Sequence, residues 1–332
     1  MNNYKLVYVD GDRKKYFYKL FNEWKCGILF IKSLNTLFSF SKKIIKEVVI
    51  CIWEGQKSVI WLQRILRQGS WKKLQYSLEN NNKELWILGN GPSLATQLQE
   101  HLDEFLQHDI MCVNHVATAE QFKQLKPKYY VLMDPGFFNQ QGLSNEIKDK
   151  VKETYDAIHD KVDWHMYFIL PVQARVNQIF INYISQNPMV HIRYISTMKF
   201  YGYSWLRAIL LDKQYCSFGS INVLIPGLYA AIQMGYKNIV LFGAEHSWHN
   251  QLYITDNNRV AMMDPHFYGQ NEHCRILEDE DIGDVFACMS EAFKSYKELD
   301  FYAQKKDICI ENATPGSYID AFRRVNYFDK AD

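Results

Sequence analysis

Gly89-Asn90-Gly91-Pro92-Ser93 follows an apolar run at 85–88 and precedes Leu94, Leu98, His101, Leu102 and Phe105, which recur at helical spacing. Glycines at a strand-to-helix turn let the backbone come close to an anion, and the helix's first turn presents unpaired N–H groups and a positive dipole end. A phosphate suits such a turn; a tight turn with Ser93 as helix N-cap is the plainer use of the same residues. The third glycine of GxGxxG is absent, as is the Gly-Lys-Ser/Thr of a P-loop, so neither a dinucleotide nor an ATP loop of those kinds is written here. Further polar clusters close other apolar runs: Asn114-His115, Asp134-Pro135-Gly136, Gly243-Ala244-Glu245-His246 and Glu311-Asn312. His246, His249, Asp264, His266, His273 and Cys274 are dense in ligand types but follow no recognised zinc spacing, so no metal site is expected.

Strands must carry these clusters. Apolar runs at 85–88, 110–113, 129–133, 166–170, Asn238–Phe242 and 308–310 alternate with helical patterns. That alternation predicts an α/β fold with a doubly wound, mostly parallel Rossmann-type sheet. Ligands of such sheets bind beyond the carboxyl ends of the strands, which is where the polar clusters fall.

Composition sets the outer bounds. With 48% hydrophobic and 15% aromatic residues in 332, the chain can bury a large core and is not a disordered polymer. A net charge of +1 offers nucleic acid no global attraction. Residues 1–80 hold 15 Lys/Arg against 6 Asp/Glu, so the basic charge is concentrated in an N-terminal extension. The seven cysteines are scattered without a CxxC pair, which fits a reducing cytoplasm.

Residues 1–82 read as a helical, basic, aromatic-rich extension, and 83–332 as the Rossmann-type domain, with Asn80 to Lys83 as linker. Ile45, Val48, Val49 and Ile52 share one helical face beside Lys42, Lys43 and Lys46, and Trp24, Trp53, Trp61 and Trp71 are interspersed. Two uses fit: lying on the inner face of a cell membrane, or packing against protein, a homo-oligomer included. The longest weakly charged stretch, 26–41, is too short to span a bilayer.

The order and spacing of GNGPSL at 89–94, CVNH at 112–115, MDPGFF at 133–138, FGAEH at 242–246, DPHFYG at 264–269 and ENATPGS at 311–317 resemble the bacterial sialyltransferases of glycosyltransferase family 42. The resemblance covers about 240 residues and leaves out the extension. It implies a metal-independent, cofactor-free, inverting transfer of an acidic sugar from a CMP-sugar donor to a hydroxyl of a cell-surface glycan such as lipooligosaccharide or capsule. By motif, Gly89, Asn90, Gly91, Pro92, Ser93, Asn114, Asp134, Gly219, Ser220, Gly243 and Glu245 would meet the donor. His266 would be the general base and Tyr253, on a small lid at about 246–268, would help the phosphate leave. Three departures stand out. Gly219-Ser220 transposes the family's Ser-Gly, Asp134 stands where an amide is common, and the first of two lid tyrosines is replaced near Ser247 and Trp248.

Two rival readings accompany this one. The GNGPSL opening also resembles hydroxymethylpterin diphosphokinase-like and flagellin-modification proteins, which implies transfer from ATP with Mg²⁺ on carboxylates such as Asp134 and Glu245. The other rival is a non-catalytic scaffold held at a membrane by the extension.

Overall fold

In the computed structural model the described residues are 25–264, 273–277 and 280–328. The chain divides into two compact units, Met1–Ile60 and Trp61–Asp332. His266 lies outside the described residues, so the expected general base has no structural description.

The first unit contains most of helix α1, Lys25–Arg67. Ile45, Val48, Val49, Ile52 and Trp53 are all exposed along it, as are Lys42, Lys43 and Lys46. Among the described residues no helix is long and apolar enough to cross a membrane.

The second unit begins about twenty residues before the boundary expected at 82/83. Ile65 is buried in the sheet's core with Trp61 and Leu62 packed beside it. Leu74 is clamped by Gln214: the Leu74 N–H donates to Oε1 (2.9 Å) and Gln214 Nε2 donates back to the Leu74 carbonyl (3.0 Å). The expected linker is not free chain either, because Asn80 is buried and its Nδ2 donates to the Met234 carbonyl (3.2 Å). Of the run Asn80 to Lys83 read as a linker, Asn80 ends a packed 3-10 turn, Leu78–Asn80, whereas Asn82 and Lys83 are exposed.

From that turn the chain alternates. It runs β1 Glu84–Leu88, α2 Ser93–Phe105, β2 Asp109–Val113, α3 Phe122–Leu125, β3 Tyr129–Val131, α4 Asn145–Lys161, β4 Met166–Pro171, α5 Gln178–Ile184 and β5 Val190–Ile195. After α6 Ser204–Asp212 and α7 Leu224–Met234 comes β6 Asn238–Phe242. A small excursion, β7 Leu252–Ile254, β8 Val260–Asp264 and β9 His273–Ile276, precedes α8 Ile282–Gln304, β10 Cys309–Asn312 and β11 Arg323–Arg324. Eight strands form one parallel sheet in the order β11-β10-β6-β1-β2-β3-β4-β5, the doubly wound α/β architecture read from the sequence.

Period-two alternation assigns each strand's side chains to two cores. Leu85, Ile87, Met111, Ile239 and Leu241 face one way, where α7 and α8 supply Leu228, Ala231, Tyr296 and Leu299. Trp86, Leu88, Ile110, Cys112, Val240 and Phe242 face the other, against Leu94, Leu98 and Phe105 of α2. Every residue of α7 is buried, which is why that helix is apolar on all sides but for Gln233, whose Nε2 donates to the Tyr302 hydroxyl (2.9 Å). With both faces covered, the central strands read as continuous apolar runs. β5 (VHIRYI) escaped the sequence reading because an edge strand with His191 and Arg193 half-buried breaks such a run.

The excursion is a three-stranded antiparallel sheet in the order β7-β8-β9, whose Val260 and the following Leu277 pack with Val285 of α8 in a small cluster. Strands β7 and β8 fall within the stretch of about 246–268 expected for the lid, and β9 lies beyond it.

Candidate active site

Strand order fixes where the site lies. From β1 the chain proceeds to β2 on one side, whereas β6 pairs on the other, with Leu88 opposite Phe242. The loops leaving β1 and β6 therefore emerge side by side, at the topological switch point where open α/β sheets bind ligands.

The two loops touch through glycine. The Gly89 N–H donates to the Phe242 carbonyl (2.8 Å) and the Gly91 N–H to the Gly243 carbonyl (2.9 Å). A Cβ on Gly89 would lie 2.3 Å from the Gly243 carbonyl oxygen. Gly243 itself has φ +61, a conformation L side chains rarely adopt. Side chains are thus excluded by neighbouring backbone, a requirement the glycine loop has independently of any phosphate.

Glu245 fills the space that Gly91 leaves. A Cβ on Gly91 would fall 1.4 Å from Glu245 Oε2, and Glu245 Oε1 accepts the Ser93 N–H (2.7 Å) at the start of α2. A carboxylate of the protein's own therefore meets the positive end of this helix. Pro92 is the N-cap residue and Ser93 the first helical residue; Ser93 Oγ is buried with no partner, so the expected Ser93 cap is not made.

Around this point lies a cleft of about 140 Å³ lined by Gly89, Asn90, Gly91, Pro92, Asn114, Gly243 and Glu245, with Asn222, His246, Ser247, Trp248 and Gln251 among its other walls. Seven of the residues expected to meet the donor are brought together. Ser93 adjoins them through its bond to Glu245. Asp134 does not: it is exposed, and its Oδ1 accepts the Gly136 N–H (2.7 Å) in a local turn. Gly219 and Ser220 do not line the cleft, although Asn222 from the same loop does. Tyr253 lies on β7, 41% exposed, two residues beyond the cleft-lining Gln251.

Four buried polar atoms of this wall have no partner: Asn90 Oδ1, Asn114 Oδ1, Glu245 Oε2 and Gln251 Oε1. Leaving such an atom unpaired costs about 1–3 kcal/mol, so a group of them at one cleft is a place prepared for hydrogen-bond donors. Asn114 is held for this in a left-handed conformation, φ +51, with its carbonyl accepting the hydroxyl of buried Tyr130.

Sequence reading undervalued His246, Asn222 and Gln251. His246 sits at φ +55, and its Nε2 shares a 2.6 Å hydrogen bond with the hydroxyl of fully buried Tyr296. Tyr296 donates in turn to Asn222 Oδ1 (3.0 Å), which also accepts the Leu224 N–H (2.8 Å) and so orders the start of α7. In the sequence this histidine stood out as the last residue of the FGAEH motif at the end of the strand, with no role of its own. Among the described residues, no three His, Cys, Asp or Glu side chains gather as metal ligands would.

Burial lowers the His246 pKa from 6.5 to about 3, so the ring is neutral near pH 7. The unfolded chain takes up this proton below about pH 6.5 while the folded one does not, so the stability tied to the neutral ring is present above that pH and is lost as pH falls toward 3. Urea unfolding at a series of pH values should show a decline across this window that is shallower in His246→Gln. An unchanged slope in the variant would contradict the buried neutral ring.

No protein-family model and no curated protein matches the sequence. Among solved structures, a glycosyltransferase is distantly similar. It is the MAf glycosyltransferase from Magnetospirillum magneticum AMB-1, 14% identical with a TM-score of 0.45, the match covering 78% of this chain. This chain spans about a third (36%) of that protein's length, and the likeness is one of fold.

Proposed function

We propose that the protein is an inverting, sialyltransferase-like glycosyltransferase that moves an acidic sugar from a CMP-sugar to a hydroxyl of a cell-surface glycan. The observation that carries this reading is the set of unpartnered acceptor atoms on Asn90, Asn114, Glu245 and Gln251 around the switch-point cleft. Ribose and sugar hydroxyls and the cytosine amine are the donors such a wall accepts. The colinear motifs that resemble family 42 point to the same chemistry.

In this mechanism Asn90, Asn114 and Glu245 hold the donor by its hydroxyls. The acceptor hydroxyl attacks the anomeric carbon as the bond to the phosphate oxygen breaks, His266 takes the acceptor's proton, and the Tyr253 hydroxyl donates to the departing CMP phosphate. Glu245 occupies the first amide of α2, so the phosphate is met by lid and loop groups instead of the Ser93 N–H.

Placement of the carboxylates favours this over diphosphate transfer from ATP. That chemistry would hold Mg²⁺ between carboxylates such as Asp134 and Glu245, but Asp134 is turned to its own loop and does not line the cleft that Glu245 lines. A screen of CMP-sugars with acceptor in excess EDTA should release CMP. Release only with ATP and Mg²⁺, and none from any CMP-sugar, would sink the proposal.

A further inference from the structure

A second and larger cavity, about 710 Å³, adjoins the first turn of α2. Its size is within the roughly 300–1,000 Å³ of small-molecule sites. One wall is a face of that helix: Ser93, Thr96, Gln97, Glu100 and His101. Their spacing of three and four residues makes a single stripe, polar throughout, where a helix packed only on protein would be apolar. The facing wall comes from the end of β10 and from β11 onward, and mixes apolar Ala313, Pro315, Val325 and Phe328 with polar Asn312, Thr314, Arg324 and Asn326. Phe328 lies flat on the His101 ring, centroids 3.9 Å apart and planes within 1°.

Gln97 gives the cavity its second, independent feature. It is only 8% exposed, and its Nε2 donates to the Ala313 carbonyl (3.1 Å), but its Oε1 is buried without a partner. Ser93 Oγ, on the same stripe, has none either. A cleft that sets hydroxyl, amide and charged groups on both walls beside the apolar surface of Ala313, Pro315, Val325 and Phe328 matches a sugar ring, which carries hydroxyls around its rim and C–H groups on its faces.

The wall between the two cavities is thin. Ser93 lines the larger one and donates its N–H to Glu245, which lines the smaller. Thr314, also of the larger cavity, accepts the Ala244 N–H at its Oγ1 (3.0 Å).

We propose that the cavity between the polar stripe of α2 and residues 312–328 binds a hydroxyl-rich pyranose, the acceptor sugar of the transfer. Its role as acceptor site rests on the transferase reading above; pyranose binding does not. The test uses isotope-labelled full-length protein titrated separately with methyl β-D-galactopyranoside, methyl α-D-glucopyranoside and CMP, following backbone amides by NMR. At least one pyranoside should shift Thr96, Gln97 and Thr314, while CMP leaves them in place and shifts Asn90 and Asn114. The shifts should disappear in Thr96→Trp, which fills the cavity from an exposed position, and weaken in Gln97→Leu, either variant sufficing if the other does not fold. No pyranoside shift in the wild type, or shifts at these residues with CMP instead, would overturn the proposal. In turnover, Thr96→Trp should raise the acceptor KM at least tenfold without raising the donor KM, and an unchanged acceptor KM removes the acceptor role. If the wild type releases no CMP from any CMP-sugar, the transferase reading fails and the titration alone still decides whether the cavity is a sugar site.

Discussion

His266→Ala is expected to lower turnover by about 10²–10⁴-fold, the usual cost of losing a general base, with donor affinity nearly unchanged. The acceptor hydroxyl must shed a proton as it attacks, and an imidazole with a pKa near neutrality is suited to take it. His246 cannot substitute, because its pKa is lowered to about 3 by burial and its Nε2 is engaged by Tyr296. The wild-type rate should therefore rise with pH as a catalytic base loses its proton, and that limb should vanish in the variant. Steady-state CMP release across pH 5–9 measures both; full activity in His266→Ala would remove this residue from the mechanism.

Gly89→Ala should be the most damaging single substitution in the loop. Its Cβ would stand 2.3 Å from the Gly243 carbonyl oxygen and 3.2 Å from that of Phe242, and both are backbone atoms that cannot swing aside. Relief requires the loops after β1 and β6 to part, breaking the Gly89 to Phe242 hydrogen bond at 2.8 Å. Overpacking of this kind costs about 3 kcal/mol, occasionally more. For a unit of this size that corresponds to a fall in Tm on the order of 5–10 °C. Gly91→Ala is the control: it meets only the flexible end of Glu245, which can rotate away at the cost of its bond to the Ser93 N–H. Thermal unfolding of the two variants should rank Gly89→Ala well below Gly91→Ala, and equal stabilities would contradict the close approach of the loops.

These variants also show what was legible in the sequence. The parallel sheet was readable because strands buried on both faces are long apolar runs, as in β1, β4 and β6. The switch point then followed from strand ends, and Gly89 to Pro92, Asn114, Gly243 and Glu245 do converge there. Strand β5 was hidden by its edge position, and the N-terminal boundary by the Gln214 clamp on Leu74, a contact 140 residues apart in sequence. Glu245 at the α2 N-terminus was equally hidden, since a glycine loop reads the same whether an external phosphate or an internal carboxylate faces it. Asp134 shows the reverse case: a carboxylate at a strand end resembled a ligand group, but the following Pro-Gly lets it satisfy its own turn.

If the switch-point cleft holds a CMP-activated donor through its unpartnered acceptors, Asn114 is the residue whose loss shows it most directly. Asn114 Oδ1 is buried and unsatisfied, so a donor hydroxyl or amine bonded there is worth roughly 1–2 kcal/mol, or about five- to thirtyfold in affinity. Calorimetric titration of CMP in the presence of EDTA should show one site on the wild type, weakened about five- to thirtyfold in Asn114→Ala with the fold intact. Equal CMP affinity in the two proteins, or no CMP binding by either, would contradict a donor site in this cleft.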